Sequence, residues 1–198
     1  FPYTTLFRSK SYLTPADIAC LLPPLLTFDQ KLYFNTNVSG TANQLKLKTF
    51  ALHYGNNEAA ISCKGMLSQL AKQPAWKLNS LSVVLKSKLI QHINSAFQLK
   101  LPAEVMRLGD VRFKGKTQGT RNYRHAKGSL LLAHGNANIN FLQRGKTINA
   151  ELYTPHFTLG NILTSSQLGS IAADIKVEAT SDLHHIKAKG VVDRKSVV

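Results

Sequence analysis

At 198 residues, with 43% hydrophobic and 18% charged residues, the chain can fill one ordinary core or form one slice of an elongated protein, and its composition excludes a disordered segment. Its formal net charge of +15 is local: seven basic residues fall between Arg107 and Lys127 against Asp110 alone, whereas from Thr147 to Asp182 four acids face only Lys176. The longest apolar run, Ala19 to Leu26, carries two prolines and falls far short of the roughly 20 residues that a membrane-spanning helix needs. Nothing at the start has the basic, apolar and small-residue order of a signal peptide, so any export or anchoring signal is expected outside this sequence.

In chain order, residues 1–9 (Phe1 to Ser9) come first. Like residues 193–198 (Asp193 to Val198), they lack the alternation seen beside them and resemble translated sequencing adapter. Setting both aside as artefact leaves residues 10–192 as a single β-rich segment of a longer protein, with a net charge of +13. Thr14-Pro15-Ala16-Asp17 predicts a capped helix start, which Pro23-Pro24 ends within about three turns. From there the dominant signal is a period of two, broken by Gly, Asn, Pro or Ser. It runs through Leu45-Lys46-Leu47-Lys48, Val111-Arg112-Phe113-Lys114, Asn138-Ile139-Asn140-Phe141 and Ile171 to Ala179. Turn signals at Gly40, Gly55, Gly65, Gly115, Gly119, Gly128, Gly135, Gly145, Gly160, Gly169 and Gly190 predict many short strands. Gly55-Asn56-Asn57 and Gly135-Asn136 suit hairpins. Pro102 to Gly109 and Thr158 to Leu163 predict short helices or turns, none long enough to cross over a parallel sheet. There is no strict repeat unit and no low-complexity linker. The expected fold is therefore mostly β and antiparallel, with one or two short helices.

The sequence offers little to catalysis, and no enzymatic activity is expected. Two Gly-Lys-Thr triplets, at Gly115 and Gly145, lack the glycine five positions earlier that a phosphate-binding loop requires; Asp110 and Asn140 stand there, so the triplets are read as turns. His184 and His185 are adjacent, which on a strand sends them to opposite faces, and the other histidines are scattered, so no metal and no cofactor is expected. Cys20 and Cys63 have neither a disulfide framework nor metal spacing and are expected to be unpaired. No nucleophile-elbow sequence or close carboxylate pair is present. The basic stretch from Arg107 to Lys127 carries Phe113 and Tyr123, as a single-strand binder would, yet no RNP, KH or zinc pattern accompanies it and no nucleic acid partner is expected.

The segment Leu101 to Gly119, with Leu101-Pro102-Ala103-Glu104, Leu108-Gly109 and Gly115-Lys116-Thr117-Gln118-Gly119, resembles TamB/AsmA-like translocation and assembly proteins of the Bacteroidota type. Phe157-Thr158-Leu159-Gly160-Asn161-Ile162-Leu163 followed by Leu168-Gly169-Ser170-Ile171 is similar to a later stretch of that family. Upstream, Ala16-Asp17-Ile18 with Leu22-Pro23, Val38-Ser39-Gly40-Thr41 and Leu45-Lys46-Leu47 continue the order, so the resemblance runs from about Tyr12 to Val192. It implies an elongated, curved β-groove in a periplasmic protein held at the inner membrane of a Gram-negative bacterium. It further implies a role in phospholipid transport toward the outer membrane or, in a second reading, in outer-membrane protein assembly beside a barrel partner. The basic middle is more charged than that pattern.

In such a groove, alternation would place one set of side chains on an apolar floor. The floor candidates are Val111, Phe113, Ile139, Phe141, Ile148, Ala150, Leu152, Ile171, Ala173, Ile175, Val177 and Ala179, which would receive acyl chains of phospholipid. Arg112, Lys114, Lys116, Arg121, Arg124 and Lys127 would sit at the rim or outer face, near phosphate headgroups. A closed β-sandwich core would show the same period of two, and a scaffold that pairs its open edges with incoming strands would share the same sheet.

Overall fold

The computed structural model describes residues 5–20, 22–41, 43–164, 169–181 and 185–195, with backbone alone at 5–9 and 194–195. Eleven strands follow one another: β1 (Thr5–Leu13), β2 (Leu32–Thr41), β3 (Gln44–Tyr54), β4 (Ala59–Ser68), β5 (Ala75–Leu85), β6 (Val111–Gly119), β7 (Tyr123–Leu132), β8 (Gly135–Arg144), β9 (Thr147–Thr158), β10 (Ser170–Thr180) and β11 (Ile186–Lys195). Each pairs antiparallel with the next in chain order, giving one elongated, curved sheet in which β1 and β11 are the two edges. At about 4.8 Å per strand gap the sheet extends roughly 48 Å across its strands. The expected mostly-β groove architecture is present. The sandwich alternative is not, because among the described residues the eleven strands pair into a single sheet.

Strands run 9 to 12 residues, longer than the glycine positions suggested. The reason is that Gly65, Gly115, Gly128 and Gly190 lie inside strands rather than in turns. Gly115 and Gly128 face each other across β6 and β7. A Cβ on either would meet the opposing carbonyl oxygen at 2.4 Å, and the Phe113 ring lies over both. The first Gly-Lys-Thr triplet is accordingly part of β6, not a turn. The two ends also join the sheet: residues 5–9 pair with 36–40, and 193–195 pair with 170–172.

Every connection at one end of the strands is a tight turn or short loop, and every helical segment lies at the other end. Two 3-10 helices, Pro15–Ile18 and Pro23–Thr27, link β1 to β2. Pro23-Pro24 opens the second of these instead of ending a longer helix, because a proline lacks only an N–H that the first turn leaves unpaired. Helices α1 (Ser87–Ala96) and α2 (Ala103–Met106) link β5 to β6, and α3 (Gly160–Leu163) precedes β10. These segments touch in series along that end of the sheet. Arg107 donates to the Ile162 carbonyl at 3.0 Å, tying α2 to α3.

A buried apolar cluster sits there. Phe28, Tyr54 and Leu89 are buried together, with Leu25, Leu32, Leu85, Ile93 and Phe97 against them. Phe28 meets Tyr54 edge-on at 5.8 Å and His92 at 4.4 Å, while Thr27 Oγ1 and His92 Nε2 are 2.9 Å apart. Burial pushes the Tyr54 hydroxyl above its ordinary pKa.

Helix α1 has no cap from its own N-terminal neighbour; Asp110, just before β6, supplies one. Its carboxylate accepts from the Ser87 backbone N–H at 3.0 Å and from Lys86 Nζ at 2.6 Å. The Lys86 ammonium, helped by the Ser87 N–H, holds the Asp110 carboxyl below the usual aspartate range. A carboxyl depressed on folding stabilises fully above the unfolded value near pH 4 and loses that contribution as pH falls through the folded value. Asp110→Asn should therefore cost about 1 kcal/mol or less at pH 7, since the pair is partly exposed. Urea midpoints of the two proteins should converge as pH falls below about 4; a gap that persists unchanged at pH 2.5 would assign the loss to something other than charge.

Candidate functional site

In an antiparallel sheet, directly opposed residues share a face and successive residues alternate between faces. The registers therefore sort every strand side chain to one of two surfaces. One surface carries five rows that run from strand to strand. A central row reads Thr36, Phe50, Cys63, Leu81, Gly115, Gly128, Ile139, Leu152, Ile175 and Gly190. The neighbouring row reads Val38, Leu47, Gly65, Leu78, Thr117, Ala126, Phe141, Ala150, Val177 and Ala188. Among the described side chains this surface holds no carboxylate and a single cation, Arg124. Most of its residues are half-buried, and side chains of the connections pack against the row containing Leu32, Tyr54, Ala59 and Leu85.

Three register shifts keep the apolar set on one face. In β3 the extra residue falls at Lys48–Thr49, in β5 at Asn79–Ser80 and in β9 at Pro155–His156. Without them the period of two would carry Phe50, Leu81 and Phe157 to the opposite surface. Pro155, which has no N–H for a ladder, sits where the ladder is already interrupted, and Thr154 Oγ1 donates to the Asn136 carbonyl at 2.7 Å beside it.

All twelve floor candidates, from Val111 to Ala179, lie on this surface, and the registers bring them into adjoining rows: Ile139, Leu152 and Ile175 in one, Phe141, Ala150 and Val177 in the next. The basic candidates divide. Arg112, Lys114, Lys116 and Lys127 lie on the opposite, polar surface, Arg121 is in the β6–β7 turn, and Arg124 alone shares the apolar face. Sequence reasoning missed the floor contributed by β2 to β5, including Phe34, Leu52, Ile61, Trp76 and Val83; in β3 and β5 the three-residue spacings at the register shifts obscure the alternation.

The polar surface has a shallow depression of about 550 Å³, lined in part by Lys114, Lys127, Asn138, Asn140, Tyr153 and Asp174. Its charges are partly compensated. Asn140 donates to Glu151 at 3.0 Å and Lys176 approaches the same carboxylate at 3.6 Å, which together hold Glu151 below the usual carboxylate range. Phe113 and Tyr123 fall on opposite surfaces, so they form no common stacking platform with the basic residues. Cys63 is buried on the apolar face, where burial pushes its thiol up, and Cys20 is exposed; both are free. Among the described residues no three His, Cys, Asp or Glu side chains come together, and no helix is long and apolar enough to cross a membrane; His184 lies outside them. Comparison with protein-family models, curated proteins and solved structures finds no match.

Proposed function

We propose that this chain is a non-catalytic segment of a lipid conduit, sheltering phospholipid acyl chains on the apolar face of its sheet. The observation that carries this reading is a surface spanning eleven strands with no described carboxylate and one described cation. A surface of this extent left in water is costly, since each methylene moved out of water contributes about 0.8 kcal/mol. The rows are continuous and individually weak, so a chain lying across them is held without being fixed at one strand. Together with the TamB/AsmA-like sequence order, this supports placement in an inner-membrane-anchored periplasmic protein that passes phospholipid toward the outer membrane.

The test uses a photo-crosslinking residue at Ile175, in the middle of the floor, and another at its neighbour Lys176, on the polar surface. Lipid adducts are expected at Ile175 and far fewer at Lys176; equal yields would reject the reading. A second reading, a scaffold for outer-membrane barrel assembly, draws on the position of β1 and β11 at the two edges of the sheet. The charges of Lys187 and Lys189 on β11 discourage strand addition at that edge. Protein strands, rather than lipid, captured along β11 would favour this reading.

A further inference from the structure

The two ends of the strands form the two rims of the apolar face, and they differ in charge. The helix-bearing connections, residues 14–31, 55–58, 86–110, 133–134 and 159–169, contain five acids and five Lys or Arg. The turn-bearing rim is one-sided. Arg121 lies in the β6–β7 turn and Lys146 in the β8–β9 turn, while Arg124 and Arg144 occupy the adjoining strand ends; all four are exposed. Asp182, the one acid in these turns by sequence, lies outside the described residues.

This cluster is held together by the backbone. The Gly145 N–H donates to the Asn122 carbonyl at 2.7 Å, locking the β8–β9 turn against the β6–β7 turn. Arg124 is paired with Gln143 on the apolar face, whereas Arg144 is paired with Tyr123 on the polar one. Gln143 steadies Arg124: its Oε1 accepts from the guanidinium at 3.3 Å while its Nε2 donates to the Gly145 carbonyl at 3.1 Å. Arg124 keeps its remaining donors free of protein acceptors among the described residues, and it projects from the apolar face itself. A planar guanidinium with unused N–H groups matches phosphate oxygens, and it stands here at the edge of a surface suited to hydrocarbon. From the Val111 row to the Gly119 row that surface is about 26 Å deep, enough for the roughly 15 Å of one acyl layer.

We propose that Arg124, with Arg121 and Lys146 in the turns beside it, holds the phosphate of a phospholipid whose acyl chains lie on the apolar face, so that lipid occupies the sheet in one orientation with its headgroup at the turn-bearing rim. This rests on the lipid reading above, and the test separates the two. The purified 198-residue chain is loaded from detergent with labelled dioleoylphosphatidylglycerol or with dioleoylglycerol, which has the same chains and no phosphate, and retained lipid is titrated. The wild type should retain the phospholipid about tenfold more tightly, the scale of a charge-assisted contact. Arg121→Gln combined with Arg124→Gln should remove that preference and leave dioleoylglycerol retention unchanged, which also shows that the fold and floor are intact. Lys88→Gln combined with Lys100→Gln, on the helix-bearing rim, should keep the preference. Equal retention of both lipids by the wild type, or a preference that survives the Arg121 and Arg124 substitutions, would overturn the headgroup site while leaving the acyl floor standing. Binding of inorganic phosphate without any preference between the lipids would overturn it too, by assigning the rim to free phosphate. Retention of neither lipid would overturn the floor, and the headgroup site with it.

Discussion

Leu89→Ala is expected to lower the stability of the folded chain by about 3 kcal/mol, within the range for removing a buried leucine side chain. Leu89 is 5% exposed and shares the packed cluster with Phe28 and Tyr54, the place where side chains of the connections close over the sheet. Elsewhere most large apolar side chains of the strands are half-buried, so that truncation leaves little cavity. Ile175→Ala, for comparison, should cost about 1 kcal/mol, because its site is already open and no void is created. Urea unfolding of both variants reads the difference. Equal losses at the two positions would mean that the apolar face is covered as thoroughly as the helix-bearing end.

Ile175→Arg should leave the urea midpoint within about 1 kcal/mol of wild type while removing most lipid capture from the middle of the floor. The long side chain can lift its guanidinium off an open surface, whereas the same change in a closed core would bury an unpaired charge and cost several kcal/mol. The position has Leu152 beside it on β9 and Gly190 on β11, so the change introduces a cation into a row that has none among the described residues. Circular dichroism during unfolding and lipid retention on the same preparation measure both effects. Unfolding of the variant would contradict the open face; undiminished lipid retention would contradict the role of this row.

Much of this architecture is legible in the residues. The run from Ile171 to Ala179 alternates without interruption, and its apolar members all reach the same surface. Much of the second half of the sheet could be read because β6, β8 and β10 keep that period. In the first half only Leu45 to Lys48 stood out, because Leu47 and Phe50, and Leu78 and Leu81, are three apart; a strand that absorbs an extra residue looks aperiodic until its partner is known. Helix α1 was also overlooked, although Leu89, Ile93 and Ala96 carry helical spacing; ten residues of modest apolarity between two strands give a weak signal alone.

A repeat was hidden in the same way. Leu22-Pro23 and Leu101-Pro102, Leu32 and Val111, Phe34 and Phe113, Gly40 and Gly119, and Asn43 and Asn122 stand 79 residues apart. The structure places Leu32 with Val111 and Phe34 with Phe113 at matching rows, each pair following a helical connection and opening a set of four strands. Too few identities survive in the other strands of the set for the period to stand out in sequence. The charge of the two rims was equally illegible, since it depends on which connections share an end of the sheet.

The chain contains one tryptophan, and Trp76 lies on the apolar face, over Gly119, close to the turn-bearing rim. It reports directly on whether hydrocarbon reaches the floor. The purified protein loaded with phospholipid brominated on the acyl carbons nearest the headgroup should lose most of its Trp76 fluorescence relative to protein loaded with the same amount of unbrominated lipid, because Trp76 shares its row with Arg124 and the first acyl carbons would lie against the ring. Equal fluorescence from the two lipids, at matched and measured loading, would place the acyl chains away from this face and contradict the account.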